Sequence, residues 1–199
     1  MPGAFARRLP QRSPHPWIEA LLDAFQSAPD APDEPRARLK DPWPGDAVRA
    51  EALIANEADL MAALDPDSRD PELVRDHVRR ARAQAFAWLR DLRSLGGDAA
   101  RRAARRAVTA WIETNRRSDQ IGWRPDVVGQ RLSAWMGAYE FFAASAGPNF
   151  RSELMEQTAL QTQWLRRRAD LAPPGPGRFA ALAGLAAGAA AIGEADEIL

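Results

Sequence analysis

An Ala-Trp-aliphatic triplet recurs three times between Phe86 and Phe142, as Ala87-Trp88-Leu89, Ala110-Trp111-Ile112 and Ala134-Trp135-Met136. The tryptophans stand 23 and 24 residues apart (88 to 111, 111 to 135), the length of one long helix plus a turn. A chain with this echo is constrained to successive helices that each present a Trp at a comparable height, a layered array of αα-hairpins. No catalytic constellation accompanies the echo, so the sequence says more about architecture than about an activity.

Helical periodicity supports the array. Val74, Val78, Ala81, Ala85, Trp88, Leu92 and Leu95 step by four and three, which predicts one helix from Pro71 ended by Gly96-Gly97. Asp98 is the expected N-cap of the next helix, which turns Ala103, Ala104, Ala107, Val108, Trp111 and Ile112 inward and Arg101, Arg102, Arg105 and Arg106 mostly outward. A loop from Asn115 to Arg124 follows, and Pro125 opens a third helix with Val128, Leu132, Trp135, Tyr139 and Phe142 inside. Gly147-Pro148-Asn149 breaks it. Asn149 is the expected cap of a fourth helix reaching about Leu171, and a final Ala/Gly/Leu-rich helix spans Arg178 to Ile192. Glu194 to Leu199 reads as the start of a further amphipathic segment. The fold class is all-α.

The first part of the chain is less regular. Trp17, Ile18, Leu21, Leu22 and Phe25 predict a short helix, and the Pro-rich stretch from Ala28 to Asp41 reads as linker, so residues 1–40 are set apart from a helical domain over 41–199. Asp41 to Asp46 is a rigid turn. Ala47 to Leu64 is expected to be irregular, with a short helix possible.

Composition excludes several classes. Acidic and basic residues balance at 27 each, which removes a whole-molecule field for nucleic acid or membrane. All the basic residues but Lys40 are Arg, a pattern of GC-rich coding rather than of guanidinium chemistry. There is no Cys, hence no disulfide and no thiolate metal site. Met1 to Gln11 shows no signal peptide, and Phe179 to Ile192 is shorter than the ~20 residues of a membrane span. Soluble and cytoplasmic is the default, with the compartment left open. Asp65-Pro-Asp67-Ser-Arg-Asp70 lacks the Gly and Glu of a calcium loop, and no zinc, phosphate-loop or nucleophile-elbow motif occurs. No cofactor or metal is implied.

Four segments together resemble bacterial heparinase II/III-like proteins: Asp41-Pro-Trp-Pro-Gly-Asp-Ala47, Ala87-Trp-Leu-Arg-Asp-Leu-Arg-Ser-Leu-Gly-Gly-Asp98, Trp111-Ile-Glu-Thr-Asn115 and Trp123-Arg-Pro-Asp-Val-Val-Gly-Gln-Arg-Leu-Ser-Ala-Trp135. The similarity covers about residues 41 to 193. It implies an incomplete (α/α) toroid built from antiparallel hairpins, taken from polysaccharide lyases that carry a large C-terminal β-sandwich. The sandwich is expected to be absent here, as are the family's catalytic Asn, Tyr and His, so no catalytic residue is assigned. The implied function is the toroid portion of a lyase that cleaves acidic polysaccharide by β-elimination, inactive alone. Its partners would be acidic polysaccharide, a second copy or the missing C-terminal domain, with no nucleic acid and no membrane.

A surviving glycan site would be sought at Asn115, Trp123, Arg124, Arg131, Trp135 and Tyr139. Flat indoles can stack on sugar rings, and a guanidinium fork matches a carboxylate. The first place to look is Trp123, which lies in a loop beside Asn115, Arg116, Arg117, Arg124 and Asp126; the others on helical stripes, and the arginines, have a plainer alternative. Trp88, Trp111, Trp135 and Tyr139 sit on apolar stripes and suit a packed core, with the Tyr139 hydroxyl hydrogen-bonded. Arg124 and Arg131 suit capping and surface ion pairs. His77 among Arg residues is expected to be solvated, and His15 lies between prolines. The doublets Arg101-Arg102 and Arg105-Arg106 could face phosphates, but a solvated face is the simpler reading. The competing function is a non-catalytic helical module that binds a protein partner.

Overall fold

Asp46 decides where the first described helix begins. Its carboxylate accepts from the amides of Val48 (2.9 Å) and Arg49 (3.2 Å), satisfying two of the donors that a helix start leaves free. The computed structural model describes residues 31–68, 70–114 and 121–194. The expected helix over Trp17–Phe25, His15, Asn115 and the segment after Glu194 lie outside them. Among the described residues every regular element is helical. In chain order these are α1 (Ala47–Ala55), α2 (Glu57–Leu64), α3 (Pro71–Arg75), α4 (His77–Gln84), α5 (Leu89–Leu95), α6 (Gly97–Thr114), α7 (Pro125–Gly137), α8 (Tyr139–Phe142), α9 (Pro148–Arg166) and α10 (Pro176–Ile192), with a 3-10 turn at Ala169–Leu171.

Residues 47–64 are therefore two helices, not irregular chain. Periodicity is weak there because α1 buries only Ala50, and α2 only Ala63 and Leu64. Asn56 separates them, its side-chain amide donating to the Ala52 carbonyl at 2.8 Å. The stretch before α1 has no regular structure, yet it lies on the helices. Arg36 N–H donates to the Ala191 carbonyl (2.7 Å), Asp41 N–H to that of Gly137 (3.3 Å), and Asp46 N–H to the Asp91 carboxylate (2.8 Å).

The single helix expected from Pro71 is broken twice. Asp70 and Asp76 cap α3 and α4 through Glu72 N–H (2.9 Å) and Arg79 N–H (2.8 Å). Phe86 then takes φ 57°, a left-handed conformation that costs an L-residue about 1–2 kcal/mol. Its wholly buried ring offsets that cost, with centroids 5.0, 6.4 and 5.5 Å from Trp88, Trp111 and Trp135. The breaks change the phase of the inward face. Val78 is 61% exposed, while Leu73, Ala83, Gln84 and Leu89 are buried; the side chain of Val74 lies outside the described set.

From Gly96 onward the expected order holds, except that the third helix is broken at Ala138 into α7 and α8. Gly96 and Gly97 both have positive φ, and α6 buries all six of the residues expected to face inward. Asp98 lies within the first turn of α6 and accepts from Arg101 at 2.9 Å. Pro125 is the first residue of α7 and Pro148 that of α9, whose cap is Gly147 rather than Asn149 and whose end is Arg166 rather than Leu171. Thr158 and Thr162 hydroxyls donate back to Leu154 (2.8 Å) and Thr158 (2.7 Å) carbonyls, so two buried polar groups are satisfied within α9. Gly129 of α7 faces the backbone of α10 at Ala180 and Ala181, and Gly184 of α10 faces the backbone of Gly129.

Candidate functional site

The motif residues converge on one buried centre. Arg131 of α7 is fully enclosed. Its Nε donates to the Gln161 Oε1 of α9 (2.7 Å), and its Nη1 to the carbonyls of Gln84 (2.9 Å) and Gly122 (3.0 Å). Its guanidinium carbon stands 4.0 Å from the Trp111 ring centroid, with Trp123 and Trp135 at 5.9 and 6.0 Å, a cation–π arrangement that gains strength when water is absent. Gln84 links the layers, accepting from Trp111 Nε1 at 2.5 Å and donating to the Leu64 carbonyl at 2.9 Å. Trp111 meets Trp135 edge-on at 5.3 Å, and Trp123 meets Trp164 at 5.4 Å. The recurrent tryptophans thus meet at Phe86, and two of them, Trp111 and Trp135, also at Arg131.

This geometry gives the residues singled out in the sequence very different positions. Trp123, Arg131 and Trp135 come together but are buried, so a ligand could reach them only by displacing the core. Arg124 is exposed and grips both oxygens of Asp126, at 3.1 and 2.7 Å. Tyr139 is 5% exposed, and its hydroxyl has no hydrogen-bond partner among the described residues. Burial, with Glu34 nearby, pushes its pKa above the usual tyrosine value. Because the folded value is raised, stability should be full below pH ~10 and fall as the pH climbs through the folded value. This is the chain's one tyrosine, so phenolate absorbance should show a midpoint that returns towards ~10 when denaturant is added. Equal midpoints in both states would refute the burial effect.

The arginine doublets of α6 are mostly occupied. Arg105 donates to the Phe142 carbonyl and the Ser145 hydroxyl, both at 2.7 Å. Arg106 forms a fork with Glu57 at 2.7 and 2.8 Å, a hydrogen bond that raises its pKa further. Arg101 pairs with Asp98, and Arg102 is exposed. His77 is exposed at the start of α4. Asp65 accepts from Asp67 N–H at 2.9 Å and Asp70 is spent on capping. Among the described residues no group of three or more His, Cys, Asp or Glu could hold a metal, and no helix is long and apolar enough to cross a membrane.

Two open grooves formed by described residues lie elsewhere. One, of about 740 Å³, lies between α1, α2, α4 and α5, with Arg49, Arg79, Arg82, Arg90 and Trp88 among its walls. The other, of about 510 Å³, lies between the chain at Leu39–Trp43, α7 and α10, with Trp43 and Phe179 at 64% and 75% exposure. No family model, curated protein or solved structure matches this chain. The geometry alone assigns the chemistry. The first groove presents guanidinium groups and one indole to solvent, a surface for anions with an apolar face. Sequence spacing does not disclose it, because its arginines come from three separate helices and Trp88 from the turn before α5.

Proposed function

We propose that this chain forms the incomplete (α/α) toroid portion of a heparinase II/III-like protein, supplying scaffold and part of the surface that holds an acidic polysaccharide, without performing β-elimination itself. The supporting observation is the fate of the motif residues. Trp111, Trp123, Asp126, Gly129, Arg131 and Trp135, six of the residues that carry the resemblance, are buried, which supports a scaffold role for this part of the likeness. A uronate lyase needs a base at the C5 proton and an acid at the departing oxygen. Tyr139 is enclosed and His77 stands alone on the surface.

Binding of the full chain to immobilised acidic polysaccharides, with absorbance of the unsaturated uronate followed in parallel, tests both halves. Retention without product is expected. Product that disappears in Tyr139→Phe would overturn the non-catalytic half. A second reading, a helical module that pairs with its own copy, draws on the exposure of Phe179 (75%) and Leu182 (50%) on α10. No retention together with concentration-dependent association in sedimentation would favour it and sink the carbohydrate reading.

A further inference from the structure

Two sets of arginines among the described residues differ in what their donors do. Arg105, Arg106, Arg124 and Arg131 spend their N–H donors on named carbonyl, hydroxyl, amide or carboxylate oxygens at 2.7–3.1 Å. The four that wall the groove between α1, α2, α4 and α5 do not. Arg49 lies 3.3 Å from Asp46, Arg79 3.8 Å from Asp59 and Arg90 3.3 Å from Asp41, and Arg82 is exposed with no ion pair among the described residues. Those contacts are looser than a charge-assisted hydrogen bond of about 2.7–2.9 Å. Within the wall itself these four cations face two carboxylates, Asp59 and Asp91, and Asp91 already accepts from the Asp46 amide at 2.8 Å. Planar donors that line one concavity and are held only by loose ion pairs, or by none among the described residues in the case of Arg82, are a recognition surface that folding has not fully consumed.

Beside them stands an apolar wall. Trp88, half-buried, is pinned by its indole N–H to the Ala83 carbonyl at 3.0 Å, and Leu53 and Leu60 line the same space. The pairing of rigid forks with a fixed aromatic surface suits a ligand that alternates acidic groups with C–H faces. The volume of about 740 Å³ suits several linked rings rather than one small anion.

We propose that this groove is an anion subsite for a carboxylated or sulfated oligosaccharide, with Arg79 and Arg82 holding acid groups and Trp88 covering a sugar face. The choice of saccharide rests on the functional reading above; recognition of anions rests on the arginines. It departs from the position around Trp123 and Arg131, which the fold closes.

Titration calorimetry of the full chain with a heparin-derived tetrasaccharide at low salt tests the assignment. Arg82→Gln should weaken binding about tenfold and Arg79→Gln/Arg82→Gln more, with thermal midpoints unchanged because both side chains are at the surface. Arg102→Gln, outside the groove, should bind as the parent does. Tetrasaccharide bound equally by parent and double variant would overturn the site while leaving the polysaccharide reading intact. No binding by the parent would overturn both. Tighter binding of a single-stranded oligonucleotide than of the tetrasaccharide would overturn the ligand class.

Discussion

Gly184→Ala should be among the most damaging single substitutions in this chain, lowering stability by about 3 kcal/mol. A Cβ at Gly184 would fall on the carbonyl oxygen, Cα and carbonyl carbon of Gly129, and one at Gly129 would fall on the backbone of Ala180 and Ala181. The atoms met are main chain, so no rotamer change relieves the overlap and α7 and α10 must separate. Separation opens the layer that holds Leu132, Trp135, Ala181 and Leu185, all buried. Alanine's better helix propensity acts in the opposite sense but supplies only ~1 kcal/mol. Gly147→Ala is the control, since nothing lies within 4 Å of its added methyl and φ is −63°, and it should cost only about 1 kcal/mol, because alanine is the poorer N-cap. Urea denaturation of the two variants decides the matter. A Gly184→Ala midpoint equal to that of the parent would mean the two helices are not held this closely.

The close approach of α7 and α10 also shows what the sequence disclosed and what it hid. The small-residue composition of Arg178–Ile192 announces close packing, but composition does not name the partner; Gly129 had no local signal at all. The stripes of α6 and α7 were legible because each helix keeps one unbroken phase, so Trp111, Ile112, Leu132 and Trp135 are buried as their spacing requires. Phe142 follows the same stripe across the Gly137–Ala138 break and is still buried. Between Pro71 and Gly96 the same rule misled, because Asp76 restarts the helix and Phe86, in a left-handed conformation, breaks it again. A four-three repeat of apolar residues cannot register a change of phase whose cause is a side chain packing elsewhere. α1 and α2 escaped because they bury one and two residues and are held by Asp46, Glu57 and Asn56 instead of by an apolar face. The candidate site was least legible of all. Trp123 has loop neighbours in the sequence, yet Trp111 and Trp164 enclose it, and the arginines left available belong to helices whose ordering the periodicity did not resolve.

Arg131 carries the other large prediction. Arg131→Lys and Arg131→Met should each cost about 3–5 kcal/mol, for different reasons. Methionine keeps much of the length but offers no donor, which leaves the Gln84 and Gly122 carbonyls and the Gln161 amide oxygen without the bonds Arg131 now makes. Lysine keeps the charge, but a compact ammonium cannot reach three separated oxygens and lie flat against Trp111 at the same time. Guanidinium desolvation works against the native residue, so a methionine variant as stable as the parent would show that burial had cancelled the hydrogen bonds and that Arg131 merely fills space. Chemical denaturation followed by tryptophan emission reads the outcome, since Trp111, Trp123 and Trp135 surround the substitution. The same variants separate scaffold from binding surface. If Arg131 serves the fold and the proposed polysaccharide binding holds, its variants lose that affinity only in proportion to the folded protein they lose. Arg82→Gln should do the reverse, losing affinity in a fully folded chain. An Arg131→Lys protein that folds normally yet fails to bind would move the acid-recognising role back to the buried centre.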